Sequence, residues 1–163
     1  MDEVDRILAQ WLVARPDLDV WAMGPLGRLN RIAHSCLRRM GKTFSRHGLN
    51  AAGFDLLATL RRSPPPHALS AGKLMTSMMI TSGTMTNRIE QLAKAGLLTR
   101  TTDPEDARRA VVKLTQQGFD LIEVAIADHV ETQTKLLASL SDEEIATLDA
   151  LLRKLMEAVE SPT

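Results

Sequence analysis

Apolar residues recur along most of this chain at the three- and four-residue spacing of a helical face. Val4, Ile7, Leu8, Trp11 and Leu12 form the first such stripe, and Pro16 ends it. A second helix is expected from about Pro25 to about Arg46, closing near Gly48. A third starts after Asn50 and stops before Ser63-Pro64-Pro65-Pro66, because consecutive prolines lack amide donors and clash with the preceding turn. Ser70 is placed to cap a short fourth helix. Thr81 or Ser82 caps a fifth, which runs to about Ala95 and ends at Gly96.

The period then changes. Leu97–Thr102 and Ala110–Leu114 are short β-rich runs separated by the charged stretch Asp103-Pro104-Glu105-Asp106-Ala107-Arg108-Arg109, which predicts a hairpin with a long polar tip. Two helices follow, the last opened by a capping box of Ser141 and Glu144. Its apolar positions Ile145, Leu148, Leu152, Leu155 and Val159, widened by Leu151 and Met156, make a stripe that needs a partner. The order short helix, turn, helix, charged hairpin is that of a winged helix-turn-helix, in which one helix enters the major groove of DNA and the hairpin reaches the backbone beside it. The expected fold is mainly α with a small β-hairpin wing. Residues 1–48 form N-terminal helices, 49–115 the winged helix-turn-helix and 116–163 C-terminal helices.

On the fifth helix, Met85, Ile89 and Leu92 share one face and Thr84, Asn87, Arg88 and Gln91 the opposite one. The outer face is polar and free of acid near its start, which suits bases and phosphates; an ordinary solvated face reads the same way. Ser82 and Thr86 join it as candidate DNA contacts, with Asn87 suited to adenine and Arg88 to guanine or phosphate. Arg108 and Arg109 at the hairpin tip suit a narrow minor groove, and Asp106 is placed to orient Arg108.

Net charge is zero, which argues against a nucleic-acid partner until the chain is divided. Residues 1–69 carry +4, residues 70–115 carry +3 and residues 116–163 carry −7. A basic middle beside an acidic end supplies the local patch that phosphates need. The four histidines are scattered without metal-ligand spacing, and neither a phosphate loop nor a nucleophile elbow occurs, so neither an enzyme nor a cofactor is expected. No apolar run approaches a membrane span, and the acidic first residues do not form a signal peptide, so a cytoplasmic protein without a membrane partner is expected. The single cysteine, Cys36, has Arg38 and Arg39 nearby, which leaves a thiol sensor open beside the commoner reading of inert helix packing.

Over essentially its whole length the sequence resembles the MarR family. The stretches that carry this are Thr81–Ile89, Ala95-Gly96-Leu97-Leu98, and the run from Asp103 in which Asp106, Arg108, Leu114, Thr115 and Gly118 match the family's wing signature. Ala107 stands where many members have arginine. The resemblance implies a homodimer joined by its N- and C-terminal helices and a regulator, by expectation a repressor, of a palindromic duplex operator. A narrower resemblance is to the urate-responsive, PecS- and HucR-like branch, carried by the extra N-terminal helix with Trp11, the stretch Gly48–Ser63, and Arg100 after the recognition helix. It implies a ligand site of Trp11, Asp55, Arg62 and Arg100 for urate or a related purine, with Phe54 standing where relatives often have tryptophan. An indole face and arginine forks suit a flat anionic heterocycle. Each of the four also has a plain structural reading: Trp11 as packing, Asp55 as an acid near a helix start, Arg62 as a cation near a helix end, Arg100 as a phosphate contact. Oxidation of Cys36, or an unrelated phenolic or anionic ligand, is the alternative signal.

Overall fold

The structure, a computed structural model, describes residues 1–78, 82–102 and 110–161. The elements are α1 (Glu3–Ala14), α2 (Met23–Arg46), α3 (Ala51–Arg61), β1 (Ala68–Ser70), α4 (Ala71–Met78), α5 (Ser82–Lys94), β2 (Leu98–Thr102), β3 (Ala110–Leu114), α6 (Gln116–Leu137) and α7 (Asp142–Glu160). They fall into two compact units, residues 1–42 and 43–163.

In the first unit, α1 starts on a capping box that the apolar pattern did not reveal. The Asp2 carboxylate accepts from the Val4 and Asp5 amides at 2.8 and 2.9 Å, and the Asp5 carboxylate accepts from the Asp2 amide at 2.8 Å. Arg28 of α2 donates to Asp2 at 2.8 and 3.2 Å and also to Asp5. The Arg28 hydrogen bond and the Asp5 amide hold the Asp2 carboxyl down at about 2. Helix α2 begins two residues ahead of Pro25, which sits in the first turn, where its missing amide hydrogen costs nothing.

The second unit begins with the last turn of α2. Phe44 stacks on Phe54 of α3, and the Thr43 and Thr132 hydroxyls lie 2.8 Å apart, tying this turn to α6. Gly48, at φ +68, ends the helix in the left-handed region that glycine adopts without strain. Asn50 then caps α3 by accepting from the Gly53 amide at 2.8 Å. Leu56, Leu57 and Leu60 of α3, Leu74 of α4, Met85 of α5, Val112 of β3 and Ile122 of α6 are almost wholly shielded from solvent, and they form the core on which the helix-turn-helix rests.

The sheet has three strands rather than the two of a bare hairpin. Its order is β1-β3-β2, all antiparallel, with Ala68 opposite Lys113 and Leu98 opposite Leu114. Ser70 closes β1 and also caps α4, accepting from the Lys73 amide at 3.2 Å. The hairpin tip, residues 103–109, lies outside the described residues.

Helix α7 opens on the expected capping box, Ser141 with Glu144. None of its residues is buried within this chain; Leu151 is 61% exposed and Val159 75%.

Candidate nucleic-acid interface

Helix α5 divides cleanly into two faces. Met85, Ile89 and Leu92 are buried, and this packing fixes which residues turn outward. Thr84, Thr86, Asn87 and Gln91 are exposed, and Arg88 is half-buried. Ser82 is the first residue of the helix. No acid stands in the first turn, so the partial positive charge of the helix start is not neutralised. Arg88 and Gln91 line a surface hollow of about 180 Å³ whose far wall is Asn50, Ala52 and Gly53 at the start of α3. The first turn of α3 and the outer face of α5 therefore open onto one depression that Arg88 helps to line.

Arg100 stands opposite Val112 in the sheet, on the face that carries buried Leu98, Val112 and Leu114. Because β2 is an edge strand, Arg100 nevertheless remains exposed. It lies on the helix side of the wing rather than on its outer face, which carries Thr99 and Lys113. Arg108 and Arg109, expected to extend the wing toward DNA, lie outside the described residues. Two cations escaped the reading of the sequence: exposed Lys73 in the first turn of α4, and exposed Lys113 in β3. Their one sequence signal is the net positive charge of the segment that holds them.

The residues expected to bind a ligand divide between the two units. Trp11 belongs to the first and is 40% exposed on α1. Asp55 is exposed in the second turn of α3, beyond the first turn where the helix dipole alone would favour an acid. Arg62 is the C-cap of that helix and exposed, whereas its neighbour Arg61 is engaged. Arg61 donates to Glu123 at 2.6 Å and lies over the Phe119 ring with its guanidinium carbon 4.8 Å from the centroid. No ion pair joins Asp55 to Arg62 or Arg100 among the described residues.

Cys36 is half-buried within α2. His47 meets Asp128 at 2.9 Å, and the His67 ring bonds the Ser63 carbonyl at 2.9 Å. No group of three potential ligands able to hold a metal occurs among the described residues, and no helix among them is long and apolar enough to cross a membrane.

Comparison with known proteins agrees with this geometry. The MarR family model matches residues 49–110. The HTH-type transcriptional regulator PecS of Dickeya dadantii is 41% identical over 150 residues, spanning 92% of this chain and 90% of PecS. MhqR of Bacillus subtilis, another HTH-type transcriptional regulator, is 26% identical over 126 residues, 77% of this chain and 85% of MhqR. Among solved structures, a cysteine-to-serine mutant of MarR from E. coli complexed with operator DNA superposes with a TM-score of 0.71 at 26% identity, covering 84% of this chain and 97% of that one. Sco3205 of Streptomyces coelicolor, a MarR family transcriptional regulator in complex with DNA, gives a TM-score of 0.75 at 21% identity, over 88% and 92% of the two chains, and so shares the fold. A winged helix-turn-helix with a two-faced α5, together with close identity to PecS over nearly the whole length, places the chain in the MarR family as a transcriptional regulator and not an enzyme.

Proposed function

We propose that the protein is a cytoplasmic homodimeric repressor that binds a palindromic duplex operator and releases it when a small anionic ligand, urate or a related purine, is bound. The observation that carries the DNA-binding part is the division of α5. Its apolar face is consumed by the core, which leaves Thr84, Asn87, Arg88 and Gln91 to the outside beside an acid-free helix start. That is the arrangement by which a helix reads base edges from the major groove. Ser82, Thr86, Arg108 and Arg109 complete the proposed contact set. The E. coli MarR complexed with operator DNA, similar over most of this chain, supports the same assignment.

The dimer rests on α7, whose apolar stripe has no cover within one chain. Exposed Leu26, Leu29 and Ile32 on α2 offer a second uncovered apolar stretch in the N-terminal helices. A two-fold axis would present two α5 helices to two half-sites about one helical turn apart.

The ligand part rests on the resemblance to the urate-responsive branch and on the chemistry of Trp11, Asp55, Arg62 and Arg100. Three of these are charged, exposed and without an ion-pair partner among the described residues, so they are available to a ligand. The deciding experiment selects binding duplexes from a random pool and then titrates the complex with urate, xanthine and salicylate. Recovery of palindromes and release by urate support the reading. Recovery of asymmetric or single-stranded sites overturns the DNA-binding part. Release by salicylate alone replaces the ligand class.

A further inference from the structure

The C-terminal end of α5 is fastened to the start of α6 at a node whose hydrogen bonds centre on Thr115. Its hydroxyl donates to the Gly96 carbonyl at 2.7 Å and accepts from the Gly118 amide at 3.0 Å. Its own amide donates to the Leu97 carbonyl at 3.2 Å. Gly96 turns the chain out of α5 at φ +73, and the Leu97 amide bonds back to the Leu92 carbonyl at 3.0 Å. Gly118 seals the node: a Cβ there would lie 1.8 Å from the Leu97 oxygen, so only glycine lets the first turn of α6 press against this turn. One side chain thus caps α6 and also grips the exit of α5. Capping needs only the acceptor half of the hydroxyl. The donor half goes to the neighbouring element.

We infer that Thr115 is a positioning residue that sets the inclination of α5 to α6, and through it the half-site separation the protein accepts in an operator. This rests on the dimeric DNA-binding reading above, with each α6 leading to the paired C-terminal helices. The lever makes the effect measurable. Helix α5, 13 residues long, reaches about 20 Å from the node to its DNA-facing start. A tilt of about 10° displaces that start by about 3.5 Å, which is one base-pair step. A loosened node therefore changes which spacing fits before it changes which bases are read.

The test uses the full-length protein and three duplexes with the same half-sites, at the selected separation and one base pair shorter or longer. Wild type and Thr115→Ser, which keeps donor and acceptor, are expected to prefer the selected separation by about tenfold. Thr115→Asp keeps the acceptor for the Gly118 amide but sets an unprotonated oxygen against the Gly96 carbonyl, so it should still fold cooperatively, with a lowered unfolding midpoint, while its preference falls to within about threefold. Thr115→Val loses both bonds and should show the same loss of preference. Variants that weaken on all three duplexes by one common factor overturn the inference and leave the DNA-binding reading intact. Wild type that retains no duplex at all overturns both.

Discussion

Phe54 stacks on Phe44 with ring centroids 4.2 Å apart and planes 21° from parallel, while Asp55, the next residue, is exposed. The peptide between them marks where α3 passes from core to surface, so the two positions should fail in different ways. Phe54→Ala should cost about 3–5 kcal/mol of stability, measured by denaturant unfolding, because it opens a cavity beneath the last turn of α2. Asp55→Asn should leave the unfolding midpoint almost unchanged.

On α5 the same logic separates reading from folding. Asn87→Ala or Arg88→Ala should cost about 1–3 kcal/mol on the preferred operator and relax preference at particular base pairs. Arg108→Ala should instead weaken most sequences alike and flatten the salt dependence by about one unit of slope. Binding isotherms on a panel of single-base operator variants, repeated at several salt concentrations, distinguish the two patterns.

Ligand release should divide along the four proposed residues. Arg62→Ala should bind operator like wild type yet no longer release it with urate. Trp11→Ala should weaken urate through loss of its aromatic wall, and Asp55→Asn should blunt release because the carboxylate that a bound anion would repel is gone. Calorimetry that finds full urate affinity in the Trp11 and Arg62 variants would place the ligand elsewhere.

His129 packs against the stacked pair Phe44 and Phe54, at ring separations of 5.3 and 4.9 Å, and its buried Nδ1 has no hydrogen-bond partner among the described residues. Burial pushes its pKa below the ordinary 6.5. The unfolded chain then takes up the proton first on acidification, so this histidine's contribution is complete above about pH 6.5 and is lost as pH falls through that value toward the depressed one. The neighbouring Asp128 carboxylate is engaged by His47 at 2.9 Å, and Glu131 lies two residues beyond His129, where its carboxylate meets Lys135. His129→Phe keeps the ring contacts, and its unfolding free energy should fall less steeply than wild type between pH 7 and pH 5.

Leu148, Leu152 and Leu155 are each more than a third exposed in one chain. Leu152→Glu should shift the protein toward monomer in sedimentation at micromolar concentration and weaken operator binding in parallel. A monomer that still bound full palindromes with wild-type affinity would contradict the α7 assignment.

Much of this architecture could be read from residues whose local chemistry is stringent. Asn50, Ser70 and Ser141 cap helices through their own side chains, and Gly48 and Gly96 hold positive φ, so the ends they mark were visible without tertiary information. The two faces of α5 were equally plain, since burial follows the three- and four-residue spacing of Met85, Ile89 and Leu92. Strand β1 was not legible. Three residues carry too little alternation to announce a strand, and Ala68–Ser70 become one because β3 offers its second edge. The contrast between Arg61 and Arg62 was hidden for a similar reason: only the approach of α6 decides that the first meets Glu123 and Phe119 while the second stays exposed.

The division of α5 also bears on how such a regulator changes over generations. Its packing energy resides in Met85, Ile89 and Leu92, and its exposed positions contribute almost none of it. Substitutions at Asn87 and Gln91 can therefore accumulate without eroding the stability margin that every new function has to draw on. A duplicated copy of this gene is free to drift toward a new operator at those positions while its folded state stays intact.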